Sequence, residues 1–171
     1  MNRPDVFSSQ NNSLKTEALA LGTSIAPNSR LANRFQIVEQ LGSGAQATVF
    51  SAIDELLDVK VALKVIEGGA SDPVKMQTIR NEVNIARQLQ HPNIIRVHDV
   101  FSDGDTAFFT MAFIEGEPLY TRIQQPISKA DFDKWQQQLV EALLACKSIG
   151  IKHGDIKPDN ILLDHNEDIK L

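Results

Sequence analysis

The sequence of 171 residues is long enough for one domain or for a fragment of a larger one. Its 17 basic and 22 acidic side chains give a net charge of −5, which argues against a nucleic-acid partner and a polybasic membrane surface. The single cysteine, Cys146, excludes an intrachain disulfide framework and a multi-cysteine metal site. The sequence has no apolar run of about 18 residues and no secretory signal pattern, so we expect a cytoplasmic chain without a membrane segment within these residues.

Residues 1–34 differ in composition from the remainder of the chain. They are rich in Ser, Asn and Gln and show no sustained apolar periodicity. Such a composition buries too little apolar surface to order the backbone. We therefore predict a flexible polar leader, with one short helix over Leu14–Leu21.

Three short strands are predicted next. The first begins at Phe35 and runs into the glycine pair at 42–44, and the second covers Ala47–Ile53. The third, Val61–Ile66, alternates between two sets of side chains. Because only short turns separate these strands, we expect an antiparallel meander rather than βαβ units.

A helix is predicted after the glycine pair at 68–69. The Asp-Pro pair at 72–73 suits a helix start, and apolar residues then recur every three or four positions as far as Leu89. Two further strands, Ile94–Phe101 and Thr106–Ile114, flank a polar hairpin turn.

The last part of the chain is predicted to be mainly helical. Ser128 has an acidic residue three positions later and suits an N-cap, and Gly150 suits a C-terminal stop. The apolar stripe between them comprises Phe132, Trp135, Leu139, Ala142, Leu143, Cys146 and Ile149. The final stretch, Ile151–Leu171, has β-type apolar residues interrupted by a charged segment.

The turn between the first two strands is the first candidate site. Leu41-Gly42-Ser43-Gly44 places two glycines one residue apart, and a backbone without Cβ atoms can approach phosphate oxygens closely. No helix follows the motif and no Gly-Lys-Ser/Thr ending is present, so it is neither a dinucleotide-binding fingerprint nor a P-loop. Taken alone, the motif also fits an ordinary hairpin turn.

A lysine on the third strand and a glutamate on the helix form the second candidate site. Strand alternation puts Lys64 on the same face as the small Ala62, which leaves room for a flat ligand beside a cation. Glu82 borders the apolar stripe of its helix, and Lys64 is a candidate partner for its carboxylate. Each charge taken alone also fits an ordinary solvated surface residue.

The segment from His153 to Asn160 carries the most specific signal. Asp155, Lys157 and Asn160 combine a base, a cation and a metal-ligating amide in one short loop. Phosphoryl transfer needs a group that orients a hydroxyl, one that neutralises phosphate and one that holds Mg²⁺.

These motifs, taken in order, resemble those of the eukaryotic-like serine/threonine protein kinase family. The segment His91–Ile95 resembles the family's link between the helix and the next strand, and Lys157 resembles serine/threonine rather than tyrosine kinases. The resemblance covers 35–171 and implies an α+β, two-lobed kinase fold. Residues 35–114 would form an antiparallel β-rich N-lobe with one helix, and 115–171 the hinge and the start of a helical C-lobe.

The resemblance also implies ATP and Mg²⁺ as cofactors and protein Ser/Thr hydroxyls as phosphate acceptors. Lys64, paired with Glu82, would hold the α- and β-phosphates. Asp155 would orient the acceptor hydroxyl, Lys157 would meet the γ-phosphate and Asn160 would ligate Mg²⁺. The residues implied to contact ATP are Leu41, Gly42, Ser43, Gly44, Val49, Ala62, Lys64, Met111, Ala112, Ile114 and Leu162, with the hinge at 112–114.

The chain departs from the family pattern at two places. Gly154 stands where most members carry an arginine that pairs with a phosphorylated activation loop, so we expect activity that does not depend on such phosphorylation. Lys170-Leu171 would immediately precede the family's Asp-Phe-Gly, whose aspartate ligates Mg²⁺. We therefore expect a kinase domain truncated before this motif, with little transferase activity in the chain alone. His153 is expected to pack beneath the site.

Two other functions remain open. Small-molecule phosphotransferases related to aminoglycoside and choline kinases share the fold and often have His-Gly-Asp at this loop, which Gly154 matches. Lys157 and the well-formed Gly-rich turn favour a protein kinase instead. A non-catalytic pseudokinase or nucleotide-binding fragment is the other alternative, although Lys64, Asp155 and Asn160 are all present.

Overall fold

The computed structural model describes residues 25–44, 47–66, 68–151 and 154–171. The predicted leader helix at Leu14–Leu21 and the predicted packing role of His153 lie outside the described residues.

Six strands form the larger sheet: β1 (Arg30–Leu31), β2 (Phe35–Ser43), β3 (Ala47–Asp54), β4 (Val59–Ile66), β5 (Val97–Asp103) and β6 (Thr106–Ala112). Their spatial order is β1-β2-β3-β4-β6-β5, and every neighbouring pair is antiparallel. The predicted meander is thus confirmed in β2, β3 and β4. The predicted hairpin of the fourth and fifth strands is also confirmed, in β5 and β6.

Strand alternation sorts the side chains of this sheet onto two faces. On one face, a core forms around Ile37, Leu63 and Phe108, none of which has exposed surface. Burying a side chain of this size contributes about 2 kcal/mol. This core therefore fixes which residues of each strand are left for the opposite face.

Residues 25–34 pack on this core, although the sequence predicts a flexible leader as far as residue 34. Leu31 is buried in the core and β1 pairs with β2. Two hydrogen bonds from the Arg34 guanidinium to the Asp54 carboxylate, at 2.7 and 2.6 Å, hold the end of this segment to β3. A two-residue strand is too short to show alternation, so the sequence pattern did not reveal it.

The first helix, α1 (Pro73–Ala86), begins where the sequence predicts. The Asp72 carboxylate accepts hydrogen bonds from two N–H groups of the first turn, at 2.9 and 3.2 Å. α1 ends at Ala86 rather than continuing to Leu89, because the N–H of Leu89 bonds to the Ala86 carbonyl in a tighter turn.

The buried side of α1 packs against the end of the sheet. Its fully buried residues are Met76, Ile79 and Val83, which contact Ala107 of β6. Phe109 and Val97 border the same cluster. This contact places α1 beside the sheet face opposite the main core.

β5 starts at Val97, whereas the sequence predicts a strand from Ile94. The N–H of Ile95 donates to the Leu171 carbonyl at 2.9 Å, so this backbone bonds to the end of the chain and not to β6. Ile94 instead packs on a second group of buried side chains, which we call the C-terminal core. The C-terminal core consists of Trp135, Ala142, Ile161, Leu163, Ile169 and Leu171. β6 likewise ends at Ala112 and not at Ile114 as predicted.

The second half of the chain contains a small sheet and two helices. The sheet consists of β7 (Gly116–Pro118), β8 (Leu162–Asp164) and β9 (Ile169–Lys170), antiparallel and in that order. The helices are α2 (Leu119–Arg122) and α3 (Lys129–Ser148), and a 3₁₀ turn covers Pro158–Asn160. The sequence pattern predicts α3 but neither α2 nor the 3₁₀ turn.

Both predicted ends of α3 are confirmed. The Ser128 hydroxyl accepts the N–H of Asp131 at 3.0 Å. At the other end Gly150 has a φ of +76°, and the N–H of Ile151 reaches the Cys146 carbonyl at 3.0 Å. This is a Schellman ending, for which glycine is the least strained residue. Among the described residues, no helix combines the length and the apolarity needed to cross a bilayer.

The predicted apolar stripe of α3 is only partly buried. Trp135, Ala142 and Cys146 are buried, and the first two belong to the C-terminal core. Phe132, which the sequence pattern places in the stripe, is 56% exposed. Leu144, outside the predicted stripe, is 59% exposed.

The two halves of the molecule meet through the segment between α1 and β5. The Asn93 side chain donates to the Ile169 carbonyl at 2.9 Å, and the N–H of Leu171 donates to the Asn93 carbonyl at the same distance. Lys170 also donates to the Pro92 carbonyl at 2.9 Å. These bonds dock β9 against the base of the larger sheet, and they fix how β8 and the loop before it face that sheet.

Candidate active site

One face of the larger sheet gathers most of the predicted nucleotide-binding residues. The strand register aligns Gly42, Val49, Lys64 and Phe109 in one row across four strands. Ala62 and Met111 lie opposite each other in the next row on the same face. Because the side chain of Ala62 is only a methyl group, the face of the sheet beside Lys64 stays flat.

The glycine-rich turn lies at the exposed edge of this face. Gly42, Ser43 and Gly44 are exposed, and Leu41 is 47% exposed. The N–H of Gly44 donates to the Ala47 carbonyl at 2.9 Å, which closes the described part of the turn. A Cβ built at Gly42 would meet nothing within 4 Å, so packing within the chain does not require a glycine there. The open space allows a ligand to approach the backbone.

Lys64 and Glu82 do not form an ion pair in this structure. The described ion pairs do not include the two residues, and both side chains are exposed. The Lys64 ammonium lies 5.8 Å from the centre of the Phe109 ring. Glu82 lies next to the buried Val83 on α1, so the pairing that the resemblance implies requires a different position of α1 or of the side chains.

The predicted hinge lies where β6 leaves the sheet. Met111 is half-buried at the end of the row that contains Ala62. Ala112 pairs with Val61 of β4, and its N–H donates to the Arg96 carbonyl at 2.9 Å. Ile114 is half-buried between β6 and β7. The hinge thus begins at a backbone position that is already fixed to the residue before β5.

Leu162 approaches from the other half of the molecule. It is half-buried on β8, where it pairs with Pro118 of β7 and Lys170 of β9. Its neighbour Leu163 is buried in the C-terminal core. Alternation along β8 therefore turns Leu162 away from that core.

The loop before β8 brings together the three residues with the most specific signal. The Asn160 amide nitrogen donates to the Asp155 carboxylate at 2.7 Å and to its backbone carbonyl at 2.9 Å. The Lys157 ammonium lies 3.4 Å from the same carboxylate oxygen. Asp155 and Lys157 are exposed, so a substrate can reach them.

Local backbone geometry produces this arrangement. The N–H of Asn160 donates to the Lys157 carbonyl at 2.9 Å, which closes the 3₁₀ turn and folds Asn160 back towards Asp155. Gly154, just before Asp155, has a φ of +77°, a conformation that costs residues with a Cβ about 1 kcal/mol or more. The next residue after the turn, Ile161, is buried and anchors the loop in the C-terminal core.

Gly116 is required where β7 crosses β8. It pairs with Asp164, and a Cβ at this position would collide with the Leu163 carbonyl oxygen. The close approach of the two backbones lets β7 lie against β8, the strand that carries Leu162.

Side chains of α3 hold the β8–β9 turn in place through contacts that the sequence pattern did not predict. Gln138 of α3 donates to the Asp168 carboxylate at 2.6 Å and accepts the N–H of Ile169 at 3.0 Å. Lys134 forms an ion pair with Asp168 at 2.9 Å, and the Trp135 ring nitrogen donates to the Glu167 carbonyl at 2.9 Å. A sequence shows which side of an amphipathic helix is polar, but it does not show which residues that side will contact.

The described residues partly fit a Mg²⁺ ion. The Asn160 amide nitrogen is engaged with Asp155, which leaves its carbonyl oxygen without a hydrogen bond to any described residue. Within the described ranges, no group of three or more His, Cys, Asp or Glu side chains could hold a metal. Mg²⁺ usually takes one or two protein oxygens together with waters and substrate phosphates, and Asn160 fits such a role.

Comparison with known proteins identifies the family of the chain. The family model described as "Protein kinase domain" matches residues 35–171. The chain belongs to the protein kinase family. Its larger sheet with α1 is the N-lobe of the kinase domain, and the small sheet with α3 belongs to the C-lobe.

Curated relatives place the kinase domain among serine/threonine kinases. CBL-interacting protein kinase 5 from Oryza sativa subsp. japonica is 35% identical over 143 residues, which are 82% of this chain and 31% of the relative. Serine/threonine-protein kinase PrkC from Bacillus subtilis (strain 168) is 34% identical over 145 residues, 83% of this chain and 22% of the relative. The chain thus spans about a third or less of the length of these relatives. The family generally uses ATP and Mg²⁺.

Proposed function

We propose that this chain contributes the nucleotide-binding lobe and the catalytic loop to an enzyme that transfers phosphate from ATP to Ser or Thr hydroxyls of proteins. The observation that carries the proposal is the cluster of Asp155, Lys157 and Asn160. One carboxylate oxygen of Asp155 receives both the Asn160 amide and the Lys157 ammonium.

Asp155 is the proposed base. In the transfer step, the acceptor hydroxyl oxygen forms a bond to the γ-phosphorus while the bond from that phosphorus to the β–γ bridging oxygen breaks. The hydroxyl proton passes to the Asp155 carboxylate and ADP leaves. The Asn160 amide holds the carboxylate in place, because its nitrogen bonds to both the side chain and the backbone of Asp155.

Lys157 is proposed to stabilise the charge on the transferred phosphoryl group. Its ammonium is 3.4 Å from the Asp155 carboxylate, so it can lie between the base and the incoming phosphate. A cation at this place is worth more once substrate excludes water, because the local dielectric constant falls. Mg²⁺ held by Asn160 would neutralise charge on the phosphates when it is bound.

ATP is proposed to bind on the sheet face that carries Ala62 and Lys64. The adenine would lie on Ala62 and Val49 beneath Leu41, with Leu162 on its other side and the backbone of 112–114 at its edge. Met111 would close the rear of this pocket, and the backbone of Gly42, Ser43 and Gly44 would cover the phosphates. Lys64 would then bind the α- and β-phosphates, with Glu82 as its ion-pair partner after α1 moves closer.

The setting of the proposed activity is the cytoplasm. The supporting observations are the absence of a membrane-crossing helix among the described residues and the acidic net charge of −5. A nucleic-acid substrate is not proposed, because binding to a polyanion is favoured by basic surfaces.

Nucleotide binding by this chain is the first test. We expect Mg·ATP to bind, measured by calorimetry, and Lys64→Met to weaken binding about tenfold, because a hydrogen-bonded charge pair contributes about 1.5–3 kcal/mol. Lys147→Met, an exposed residue of the last turn of α3, is the matched control and should bind like the wild type. Equal affinity of all three proteins would contradict the proposed nucleotide site.

The phosphate acceptor is tested in the intact protein that contains this chain. We expect labelled phosphate from ATP to appear on Ser and Thr residues of a peptide library. Transfer to an aminoglycoside or choline but not to peptides would instead support a small-molecule phosphotransferase. Nucleotide binding without transfer to any acceptor would support a pseudokinase.

A further inference from the structure

A second cavity lies on the N-lobe, away from the proposed nucleotide site. It has a volume of about 400 Å³, and Val59, Val61 and Thr110 form part of its wall. These residues alternate with Ala62, Lys64 and Met111 along their strands, so the cavity opens on the opposite face of the sheet. Nothing in the proposed phosphoryl transfer uses it.

A β-bulge builds one side of this cavity. The register between β5 and β6 shifts between Val97 and Val100, which leaves His98 and Asp99 opposite the single residue Thr110. The Thr110 hydroxyl is buried, accepts the N–H of Asp99 at 3.2 Å and lies 3.4 Å from its carbonyl, to which it donates. Bulges of this kind redirect side chains and are frequent beside binding sites. Here the bulge lets four consecutive residues, 96–99, line one cavity.

The described lining of the cavity contains more basic than acidic side chains. Arg34 is bound to Asp54 through two hydrogen bonds, and Arg87 forms an ion pair with Asp99 at 2.7 Å. Arg96 also lines the cavity, and its guanidinium has no ion pair or side-chain hydrogen bond with any described residue. Among the described lining residues, two aspartates therefore stand beside three arginines, and the third cation is available to a ligand.

Part of the remaining wall is apolar, and His98 lies close to Arg96. Val59, Val61 and Val97 line the cavity beside Arg96. Burial, and then the nearby Arg96, lower the pKa of His98 below its usual range, and Asp99 opposes them. An arginine that has no ion pair with a described residue, next to apolar side chains, favours an anion carried on an apolar body.

We propose that this second cavity binds a small molecule with one carboxylate on an apolar body. The carboxylate would accept two parallel hydrogen bonds from the planar Arg96 guanidinium, and the body would lie on the valine wall. A single negative charge matches Arg96, the single arginine without an ion pair among the described lining residues. A dianion such as phosphate would meet repulsion from the Asp99 carboxylate, which is half exposed.

Benzoate and its neutral analogue benzamide are the probes. In NMR titrations of this chain, we expect benzoate to shift the amide signals of residues 96–99 and Thr110. We expect benzoate to bind about tenfold more tightly than benzamide, because a guanidinium binds a charged carboxylate more strongly than a neutral amide. Arg96→Gln should remove the difference between the probes. Arg80→Gln, on the exposed side of α1, is the matched control and should keep it.

Three outcomes would overturn the proposal. If benzoate bound no more tightly than benzamide, the carboxylate charge would have no role in binding. An equal loss in Arg96→Gln and Arg80→Gln would indicate general ionic attraction rather than a site. Inorganic phosphate binding these residues more tightly than benzoate would contradict the carboxylate. Because the sheet face with Lys64 is not involved, failure here leaves the proposed kinase activity untouched, and Mg·ATP titration of the same samples checks this.

Discussion

The two parts of the proposed active site differ in how far they are assembled. In the catalytic loop, Asp155, Lys157 and Asn160 already contact one another. In the N-lobe, the Lys64 ammonium lies 5.8 Å from the centre of the Phe109 ring and does not pair with Glu82. The difference follows from what positions each set. The loop residues are close in sequence and are held by one 3₁₀ turn, whereas the lysine–glutamate pair depends on how α1 packs on the sheet.

This contrast teaches that local backbone geometry and tertiary packing control different steps of the proposed reaction. A loop fixed by its own turn keeps its geometry whatever the position of α1. The N-lobe pair, by contrast, can be made or broken by a small movement of one helix whose buried contacts are few: Met76, Ile79 and Val83. Four changes would break or sharpen the comparison.

The largest effect is expected from Asp155→Asn. An amide cannot accept the hydroxyl proton as a base, so transfer by the intact protein should fall about a thousandfold, within the range typical of general bases. ATP affinity of the chain should stay the same, since Asp155 acts on the acceptor. Asp159→Asn, at an exposed neighbouring position, is the matched control. Radiolabelled phosphate incorporation measures the first quantity and calorimetry the second; a parallel loss of ATP affinity would contradict the separation of roles.

A second effect concerns the sheet that carries Lys64. Leu63 points into the main core and has no exposed surface, so Leu63→Ala should lower the free energy of unfolding by about 2–5 kcal/mol. Leu144→Ala, on the 59% exposed surface of α3, should change it by about 0.5 kcal/mol or less. Urea denaturation followed by tryptophan fluorescence provides both values. Similar losses in the two variants would show that the sheet is not the rigid part of the molecule.

The third change targets α1 directly. Asp72→Ala removes the side chain that accepts the first N–H groups of the helix, and should destabilise α1 by about 1 kcal/mol. Faster hydrogen exchange is expected in the first turn of α1, with no change at Asn160. Ser71→Ala, one residue earlier and exposed, is the control. If exchange at Asn160 rose as much as in α1, the loop and the helix would not be independent.

The smallest effect concerns how the free energy of unfolding depends on pH, through the contact between Arg34, just before β2, and Asp54 of β3. The Arg34 guanidinium, and then the N–H of Leu56, hold the pKa of the Asp54 carboxyl below its usual range, against the opposing effect of burial. The ionised form thus stabilises the fold at pH values above about 4, and this contribution is lost as the pH falls through the lowered pKa. Asp54→Asn should flatten the decline of unfolding free energy below pH about 4, because an amide has no proton to gain in this pH range. An unchanged slope in Asp54→Asn would contradict this.

The fold was predictable where one residue type dominates a local choice. Asp72, Ser128 and Gly150 mark helix ends through their own side chains or backbone, and all three occur where the sequence predicts. The meander follows from alternation over strands long enough to display it. By contrast, Ile94 and Ile95 look like strand residues because they are apolar, yet their partners are the C-terminal core and the backbone of Leu171.

The candidate site was predictable to a different degree in its two parts. Asp155, Lys157 and Asn160 contact one another as their spacing suggests, since a short turn leaves little freedom. The sequence could not predict the separation of Lys64 from Glu82, because it depends on contacts between distant segments. Nor could it predict Gln138, whose two hydrogen bonds to the β8–β9 turn arise only after α3 and that turn have docked.

The contact between Asn93 and Ile169 has a consequence for the order in which a growing chain acquires its shape. The two residues are 76 positions apart, whereas each strand of the larger sheet finds its neighbours within the first 112 residues. Closing a long loop costs more entropy than closing a short one. A nascent chain can thus complete its sheet and main core while β9 is still being synthesised. The two lobes would be joined only once β9 has emerged from the ribosome.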